Sequence, residues 1–574
     1  MGENSLKHAG RICCFLVVSV SLFGMLATPA HAQVTQQDAL PAPADSGRIK
    51  PDASRFAPIP ERAAPAISRE SLPPPVNAPE GAESIRFTLK GVKLVGVTAF
   101  ADERFTALYA PLVGSTISLT QVYEIAASIT RTYREAGYIL SYAYIPDQEI
   151  ASGEVTIAIA EGYLAQVVVD GRDSNHGITA DYIARLTREK PITNQTLEST
   201  LLRLNDLPGL SYRAVLSKAP NAPPAESILT LIPTKKDARA TVNFDNFSSR
   251  YLGPHEVSGS YSRSILPRQQ TTIFGLTSIP VDRLNYISLN HSYALVADVT
   301  IEGSASYTNS NPAFTLEPLD IESATTNFNL GINYQAIRQR DENLLFKLSA
   351  ESRHVTSDIL NTRLTRDEVR SLHATASYDM RDGWDGTNVI NATITQGIGI
   401  LGASSKSNGA NDLSRDEATP DFTKIELSAS RLQTIDDDWA ALVQASGQIA
   451  SGPLYASEEF GYGGQVYGRA YDSSEVVGDG GAQAAIELRY TGFRTMQPIN
   501  VEPFIFYDYG FVTNEDAAQA KFDSLSSAGG GIRFASIWGQ AGMLAVAVPI
   551  TRESAAPTYG IDSARILFQV AHNF

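Results

Sequence analysis

Residues 327–334 read Asn-Phe-Asn-Leu-Gly-Ile-Asn-Tyr, so a polar or small residue alternates with an apolar one along the whole stretch. Successive side chains of a β-strand point to opposite faces, so such a strand has one face for water and one for an apolar medium. The same alternation returns in residues 371–378 (Ser-Leu-His-Ala-Thr-Ala-Ser-Tyr) and in residues 390–395 (Ile-Asn-Ala-Thr-Ile-Thr). These stretches predict strands that separate two different environments.

Segments of this kind fill residues 237–574, and we count sixteen of them. Their predicted starting points are residues 238, 255, 270, 285, 298, 322, 342, 367, 387, 421, 438, 481, 500, 524, 538 and 564. An even number of segments of about ten residues is typical of a transmembrane β-barrel of antiparallel strands in a bacterial outer membrane. A soluble β-sandwich is the alternative, but its outward faces would be polar.

The connections between these segments differ in length in a regular way. Two connections after even-numbered strands are short, at residues 381–384 and 436–438. Several connections after odd-numbered strands are long, at residues 402–420, 451–480, 514–523 and 553–563. Short periplasmic turns and long external loops have this asymmetry. The last strand, with Ile566, Phe568, Val570 and Phe574, resembles the C-terminal signal by which the barrel-assembly machinery recognises its substrates.

The N-terminus resembles a secretory signal peptide. Lys7 and Arg11 precede a mostly apolar run at residues 12–27, and Ala30-His31-Ala32 offers a cleavage site, so residues 1–32 are predicted to be removed. A membrane anchor is the alternative, but it needs about 20 apolar residues. Both cysteines, Cys13 and Cys14, lie in this leader. Their removal excludes thiol catalysis, disulfides and cysteine-based zinc sites from the mature protein.

Composition argues against several classes of function. The 574 residues hold 46 Lys and Arg against 62 Asp and Glu, a net charge of −16, which is unfavourable for binding nucleic acid. The eight histidines include no pair at metal-binding spacing, and neither H-E-x-x-H nor G-x-S-x-G occurs. Gly529-Gly530-Gly531 lacks the Lys of a phosphate loop and is predicted to be a close-approach site in the barrel wall. We therefore predict no enzyme, no catalytic residue, no cofactor and no metal site.

Between leader and barrel, the sequence predicts a linker and two small α+β units. Residues 33–83 are rich in proline and form the linker, with room for a short helix between Val34 and Leu40. Residues 84–163 and 164–236 each repeat the order β-α-α-β-β. The first unit has strands at 87–97, 140–145 and 154–160, with helices at 102–110 and from Ser118, where Gln121 completes a capping box. The second has strands at 165–169, 212–217 and 227–232, with helices at 179–187 and from Asn194.

Two stretches of the barrel sequence carry unusual patterns. A glycine-rich loop begins at residues 461–468 (Gly-Tyr-Gly-Gly-Gln-Val-Tyr-Gly), continues as Arg469-Ala470-Tyr471, and ends as Gly478-Asp479-Gly480-Gly481. Phe506-Tyr507-Asp508 places one acidic residue in an apolar and aromatic strand. Glycine tolerates backbone conformations that other residues avoid, so the loop can fold tightly against a wall.

With these motifs, the chain resembles the two-partner secretion transporters, also called haemolysin secretion/activation proteins. That family has a signal peptide, a linker, two POTRA domains and a barrel of sixteen strands. Its sixth external loop folds into the lumen with the motif Val-Arg-Gly-Tyr/Phe, followed by Gly-Asp-x-Gly, and its wall carries Phe-x-Asp. Arg469, Ala470 and Tyr471 resemble the first motif, with Gly468 in place of Val and Ala470 in place of Gly. Gly478 and Asp479 resemble the second, and Phe506 and Asp508 the third.

The resemblance extends to the two predicted units and implies a function. Residues 137–140 (Gly-Tyr-Ile-Leu) and 205–209 (Asn-Asp-Leu-Pro-Gly) are similar to POTRA sequences of the family. The resemblance implies an outer-membrane transporter, with its POTRA domains in the periplasm, that secretes a large partner exoprotein of haemolysin or adhesin type. It also implies that export is driven by folding of the exoprotein at the cell surface. The alternatives are an insertase of the same superfamily, which generally carries more POTRA units, and a passive porin.

Two local predictions follow for the residues of this chain. An arginine at a loop tip inside the lumen needs a partner, and Asp508 on the inward face of its strand could accept a bidentate pair that holds the loop inside. Tyr142, Tyr144 and Ile145 lie on a predicted edge strand, to which an unfolded partner could add a strand. We expect Ala143→Pro to weaken that binding. The further expected contacts are outer-membrane lipid and the barrel-assembly machinery, and the chain is expected to be a monomer.

Overall fold

A computed structural model describes residues 40–49, 67–69, 77–150, 152–218, 223–406, 409–410, 412–495, 498–516, 519–552 and 564–574. The predicted signal peptide and all but the last residue of the possible helix between Val34 and Leu40 lie outside these ranges. The described chain begins with two short 3₁₀ turns, Ala42–Ala44 and Ser46–Arg48, and strand β1 is Ile67–Arg69. In the part of the chain that the structure describes, no helix is long and apolar enough to cross a membrane.

The first α+β unit contains two small sheets and two helices. Its elements are β2 (Arg86–Thr88), β3 (Gly91–Val95), α1 (Glu103–Tyr109), β4 (Thr116–Ser118), α2 (Leu119–Glu135), β5 (Tyr142–Tyr144) and β6 (Glu154–Ala160). β2 pairs with β4, and the other sheet has the order β3-β6-β5. The predicted capping box is present, because Ser118 accepts from the Gln121 N–H and Gln121 accepts from the Ser118 N–H.

The predicted single strand at residues 87–97 is wrong. The structure divides it into β2 and β3, which belong to different sheets. The chain changes sheets at Leu89 and Lys90, whose N–H groups donate to the carbonyls of Ser115 (3.0 Å) and Gly153 (2.7 Å). The two N–H groups between the strands thus have partners in different segments of the chain, which alternation along one strand does not predict.

The second α+β unit follows directly. Its elements are β7 (Tyr163–Val169), α3 (His176–Arg188), α4 (Asn194–Asp206), β8 (Leu210–Lys218) and β9 (Glu226–Lys235), and its sheet has the order β1-β8-β9-β7. The last helix begins at Asn194, as predicted, and the side chain of Thr193 caps it by accepting from the Thr196 N–H. The buried faces of α3 and α4 pack on one face of the sheet that contains β8 and β9, around Tyr182, Leu201 and Leu216.

Sixteen strands close into an antiparallel barrel, as predicted. They are β10 (Arg239–Asp245), β11 (His255–Arg263), β12 (Gln269–Ile279), β13 (Leu284–Val296), β14 (Val299–Ser310), β15 (Ile321–Arg338), β16 (Glu342–Ile359), β17 (Thr362–Arg381), β18 (Gly386–Gly397), β19 (Thr423–Thr434), β20 (Trp439–Ala450), β23 (Gly480–Tyr490), β24 (Ile499–Thr513), β25 (Phe522–Ser536), β26 (Gln540–Pro549) and β27 (Arg565–Asn573). A separate hairpin, β21 (Phe460–Tyr462) and β22 (Val476–Gly478), lies between β20 and β23 in sequence.

The observed strand starts follow the predicted ones within two residues, except at β17. That strand begins at Thr362, five residues before the predicted position, because it pairs with the end of β16 across the tight connection Leu360-Asn361. Residues 362–366 (Thr-Arg-Leu-Thr-Arg) lack the alternation with an apolar face, so the sequence does not mark them as strand. The predicted direction of the faces is confirmed, since Phe328, Leu330 and Tyr334 are about half exposed on the outside of the barrel.

The two ends of the barrel have different surroundings. We call the end at which β10 begins, beside the second α+β unit, the near end, and the opposite one the far end. The connections at the near end are short, for example Ala297-Asp298 between β13 and β14. The connections at the far end include the long segments 398–422 and 451–479. The predicted asymmetry of turns and loops is therefore confirmed.

Candidate functional site: the hairpin inside the barrel

The segment between β20 and β23 folds into the barrel and packs on its inner wall. Its strands β21 and β22 pair with each other, and Tyr462 on β21 is fully buried. Between these two strands, Ala470 and Tyr471 pack in one cluster with inward residues of the wall: Phe504, Phe506, Val512, Leu525, Met543, Ala545, Ala547 and Leu567. We call residues 451–479 the lumenal hairpin. The barrel strands in this cluster are β24 to β27, whereas Leu454 and Tyr455 of the hairpin pack in a second cluster with Val369 on β17 and Phe422.

Arg469 lies at the tip of the lumenal hairpin and binds Asp508 on β24. Its backbone N–H donates to Oδ2 of Asp508 at 3.0 Å, Nε donates to the same oxygen at 3.1 Å, and Nη2 donates to Oδ1 at 2.8 Å. Both side chains are buried, at 5 % and 0 % exposure. The predicted bidentate pair is therefore present, and Asp508 faces inward as the prediction required. Two parallel N–H···O bonds fix the orientation of the guanidinium as well as its position.

Glu487 on β23 extends this pair into a network. It accepts from Nη1 of Arg469 at 2.7 Å, from Nε of Arg489 at 2.8 Å and from both terminal nitrogens of Arg533 at 2.5 and 3.0 Å. The guanidinium carbon of Arg469 also lies 3.5 Å from the ring centre of Phe506, a cation–π contact. The wall thus supplies two carboxylates and one aromatic face for a single buried cation, which compensates the loss of its hydration.

Glycines in the wall leave room for the large rings of this site. A Cβ on Gly510 would lie 2.1 Å from Cδ2 of Tyr462, and a Cβ on Gly529 would lie 2.6 Å from Cζ of Phe506. The predicted close approach at the glycine run of β25 is confirmed by this second contact. In the hairpin, Gly468 has a positive φ of 67°, so this departure from the family motif permits a backbone conformation that valine rarely adopts.

Tyr471 and Asp472 attach the tip to the seam where the last strand meets the first. The Tyr471 hydroxyl lies 3.2 and 3.0 Å from the carbonyl oxygens of Ser526 and Arg552, and its own carbonyl accepts from Arg565 at the start of β27. The Asp472 carboxylate lies 3.3 Å from Nη1 of Arg250, which follows β10. The tip therefore spans from the centre of the wall strands to the β27–β10 junction.

Asp479, at the other end of the hairpin, is bound by a residue that the sequence did not single out. Arg415 belongs to the far-end segment 398–422, and its guanidinium donates to both carboxylate oxygens of Asp479, with Nη2 at 3.1 Å from Oδ2. The same carboxylate accepts from the backbone N–H of Leu454 (2.7 Å) and of Glu515 (2.8 Å). Asp479 therefore connects three far-end segments, while Gly478 before it lies at the end of β22.

Residues 40–49 also lie inside the barrel, although the sequence predicted a linker there. The Ser46 hydroxyl is 2.7 Å from that of Ser323 and 3.0 Å from that of Thr325, both on β15. The Ser249 hydroxyl donates to the carbonyl of Pro43 at 2.6 Å. We call this stretch the N-terminal lumenal segment. The stretch is rich in proline and alanine, which occur in exposed linkers as well as in packed segments, so composition alone did not distinguish the two.

Two neighbouring glutamates of the lumenal hairpin connect it to the other elements of the lumen. Glu458 lies 3.0 Å from Nζ of Lys424 on β19 and 3.4 Å from Nη1 of Arg353 on β16. Glu459 binds Nη2 of Arg48, in the N-terminal lumenal segment, and lies 3.1 Å from Nη1 of Arg415. Its side chain is 2 % exposed. One carboxylate thus joins the N-terminal lumenal segment, the hairpin and a far-end loop.

The predicted binding strand of the first unit lies at a sheet edge, with two differences in detail. β5 ends at Tyr144, so Ile145 follows the strand, where it packs against the apolar core of the unit. Ala143 is fully buried and its N–H donates to the hydroxyl of Thr130 on α2 at 2.9 Å. Tyr142 and Tyr144 are half-buried, with ring centres 6.0 Å apart. Burial, followed by the neighbouring Tyr144, raises the pKa of Tyr142.

Two family descriptions match separate parts of the chain. Residues 87–162 match the POTRA domain of ShlB type, and residues 288–534 match the haemolysin secretion/activation protein ShlB/FhaC/HecB. The second match contains the lumenal hairpin and the wall strands β23 and β24. Both motifs that meet in the structure therefore fall within the residues that match one family description.

The similar proteins each cover at least three quarters of the chain. The outer membrane transporter CdiB of Dickeya dadantii is 23 % identical over 571 residues, 93 % of this chain and 94 % of that protein. The heme/hemopexin transporter protein HuxB of Haemophilus influenzae is 23 % identical over 461 residues, 76 % of this chain and 79 % of that protein. The solved structure of CdiB from Escherichia coli superposes with a TM-score of 0.65 at 19 % identity, covering 87 % of this chain and 92 % of the other. BamA from Haemophilus ducreyi lacking POTRA domains 1–3 shares the fold, with a TM-score of 0.51 at 12 % identity over 85 % of this chain and all of the other.

Proposed function

We propose, from the premise that this chain belongs to the two-partner secretion transporters, that it secretes one large partner exoprotein across the outer membrane. The near end of the barrel then faces the periplasm, where the two POTRA domains lie, and the far end faces the cell surface. The observation that carries the proposal is the contact of Arg469 with Asp508, which joins the two motifs by which the family is recognised. The proposal assigns no catalytic step to the chain.

The lumen contains two elements that an exported chain has to pass. The lumenal hairpin is held by buried ion pairs at its tip and at its end, and the N-terminal lumenal segment binds β15 and the hairpin. The hairpin tip also packs in an apolar cluster with the wall, and none of these contacts is covalent. We propose that this structure is the closed state and that the two elements move when the exoprotein enters.

We assign capture of the exoprotein to the outer edge of β5 in the first POTRA domain, toward its Ile145 end, because the Ala143 N–H on that edge already donates to Thr130. An unfolded chain can pair with an edge strand through backbone hydrogen bonds, which do not depend on a particular side-chain sequence. The half-buried rings of Tyr142 and Tyr144 offer apolar contacts beside that edge. Insertion by the barrel-assembly machinery and a monomeric state complete the proposal.

Deletion of the gene in its native host tests the function. We expect one large protein, encoded beside this gene, to disappear from the medium and to return when the wild-type gene is restored. Identical proteins in the medium of both strains would contradict the proposal. A general loss of outer-membrane barrels would instead indicate an insertase, and a change confined to uptake of small solutes would indicate a porin.

A further inference from the structure

The short connection Ala297-Asp298 between β13 and β14 is embedded in the second POTRA domain. Ala294, near the end of β13, is 1 % exposed and belongs to the same apolar cluster as Tyr182, Leu201 and Leu204 of that domain. Ala297 packs against this cluster as well. The apolar core of the second POTRA domain is therefore completed by a hairpin of the barrel.

Asp298 is the polar centre of this joint. Its carboxylate accepts from Arg203 and from the Tyr182 hydroxyl (3.1 Å), and lies 2.7 Å from Nη1 of Arg185. Its N–H donates to the same Tyr182 oxygen at 3.1 Å. The Asp298 and Arg203 side chains are 10 % and 12 % exposed. One carboxylate from the barrel thus satisfies three side chains from α3 and α4.

The same arginine also binds the neighbouring barrel strand. Arg203 donates to the carbonyl oxygens of Gln335 (2.9 Å) and Ala336 (3.2 Å) at the end of β15. Beside it, Asp206 accepts from Nε and Nη2 of Arg338 at 2.5 and 3.0 Å. Asp206 belongs to the stretch 205–209 that resembles POTRA sequences, so one part of that stretch contacts the barrel.

We propose that Asp298 is a positioning residue that locks the second POTRA domain onto the barrel, and that this joint stays closed while the exoprotein is exported. The inference rests on the proposed function. Opening the joint would expose Ala294 and would separate a buried carboxylate from Arg185, Arg203 and Tyr182 at once. An extended polypeptide can move past a fixed domain without breaking any of these contacts. The second POTRA domain is then a fixed part of the periplasmic mouth, and the motion needed for export takes place in the lumen.

A reversible tether across the joint tests this directly. Glu198 on α4 and Arg340 in the β15–β16 turn lie 3.2 Å apart at the rim, and the inference gives this pair no role. Because the predicted mature chain has no cysteine, Glu198→Cys with Arg340→Cys can be bridged selectively by a short bis-methanethiosulfonate reagent, which a reductant removes. We expect the bridged protein to secrete as much exoprotein as the unbridged one. A fall in secretion that the reductant reverses would overturn the proposal.

Variants of the joint complete the experiment. We expect Asp298→Ala to lower secretion at least fivefold at equal amounts of inserted barrel, and the bridge between positions 198 and 340 to restore it until the reductant is added. Wild-type secretion by Asp298→Ala, or no recovery on bridging, would contradict the positioning role. Asp206→Ala, with the exchange Asp206→Arg and Arg338→Asp, provides a second test if Asp298→Ala does not insert. Asp206→Ala and each half of the exchange alone should lower secretion, and the complete exchange should restore it. Equal secretion by all of these variants would count against the lock.

A readout without transport separates the joint from the proposed function. In the purified full chain, hydrogen exchange at the Asp298 amide should be slow and should become fast when Tyr182→Phe removes its acceptor. If the wild-type chain secretes no protein but this protection is observed, the proposed function fails while the closed joint stands. Fast exchange at this amide in the wild-type chain would refute the joint itself.

Discussion

The backbone N–H and the guanidinium of Arg469, at a loop tip, bind the same carboxylate, that of Asp508 on a wall strand 39 residues further along the chain. The pair is almost completely buried, and Glu487 and Phe506 surround the same cation. A buried ion pair contributes little net stability compared with apolar packing, but removing one partner leaves an uncompensated charge. The pair therefore determines where the hairpin tip lies more than how stable the barrel is.

We predict that Arg469→Ala reduces secretion of the exoprotein about tenfold or more while the barrel stays inserted. The change leaves Asp508 buried without its main partner, which costs on the order of 3–5 kcal/mol and releases the tip. Secretion at matched membrane levels is the measurement, and Arg552→Ala, which removes an exposed ion pair with Asp523, is the control. Unchanged secretion by Arg469→Ala would show that the pair has no part in transport.

Glu459 leads to a prediction about the closed state. Glu459→Gln removes the charge that Arg48 and Arg415 share, so the N-terminal lumenal segment and the far-end loop should both be held less firmly. We expect more frequent ion conduction by the purified protein in a planar bilayer. Glu417→Gln, on the same far-end loop but exposed and 3.8 Å from Lys406, should leave conduction unchanged. Equal conduction by both variants would argue against the coupling.

The space beside Gly510 can be tested by a size exchange. Gly510→Ala places a methyl group where the ring of Tyr462 lies, and overpacking of this kind costs about 1–3 kcal/mol. We expect the hairpin to become accessible to protease added to the purified protein. Tyr462→Ala in the same chain should restore protection in part, because it creates room for the methyl group. If the single variant is as resistant as the wild type, the hairpin tolerates the change without moving.

The sequence predicted the barrel well because a lipid-facing wall imposes an alternation that is visible residue by residue. Fifteen of the sixteen predicted starts lie within two residues of the observed ones, and the exception, β17, begins in a stretch without that alternation. The Ser118 cap was predictable for the same kind of reason, since its partners are three residues away. Local patterns with a physical period thus placed the barrel strands and this helix start, although they did not divide residues 87–97 into β2 and β3.

The lumen could not be predicted in the same way. A polar lumen accepts segments that read as solvent-exposed linkers or loops, so nothing in residues 40–49 or around Arg415 marks them as internal. The partner of Arg469 was predictable only because two motifs of a known family occur together. For Asp479 no second motif was visible, and the arginine that binds it lies in a long loop of ordinary composition. These contacts join residues that are well separated in the sequence. Because a polar lumen and solvent suit the same residue types, no local pattern marks them.

From Glu161, between β6 and β7, we predict that the first POTRA domain loses stability in acid. Burial raises the pKa of this carboxyl group, but hydrogen bonds from Thr98, Tyr133 and the Ala99 N–H outweigh it, so the pKa lies below its ordinary value of 4.5. A group with a lowered pKa stabilises the fold above its unfolded pKa and loses this contribution as the pH falls through the folded one. Protection of the domain from hydrogen exchange in the full chain should therefore decrease below about pH 4.5.

The matched variants isolate the contribution of this carboxylate. Glu161→Gln should lower protection at neutral pH and remove that part of the acid dependence, because the amide cannot carry the charge. Glu154→Gln, an exposed residue on β6, serves as the control and should follow the wild type. An acid profile of Glu161→Gln that coincides with the wild-type profile would disprove the role of Glu161.

The edge of β5 gives the last prediction, and the structure changes how it has to be tested. Ala143→Pro would remove a buried hydrogen bond to Thr130, so it would report on folding rather than on binding. The alternation of N–H groups along an edge places the Ile145 amide on the same outer side as that of Ala143, without a role in the ladder with β6. Ile145→Pro removes this donor, whereas Ile145→Ala removes only the side chain. We expect Ile145→Pro to weaken binding of the exoprotein's purified amino-terminal segment about three- to tenfold relative to Ile145→Ala, since one backbone hydrogen bond contributes about 0.5–1.5 kcal/mol. Equal dissociation constants for the two variants would mean that the exoprotein does not pair with this edge.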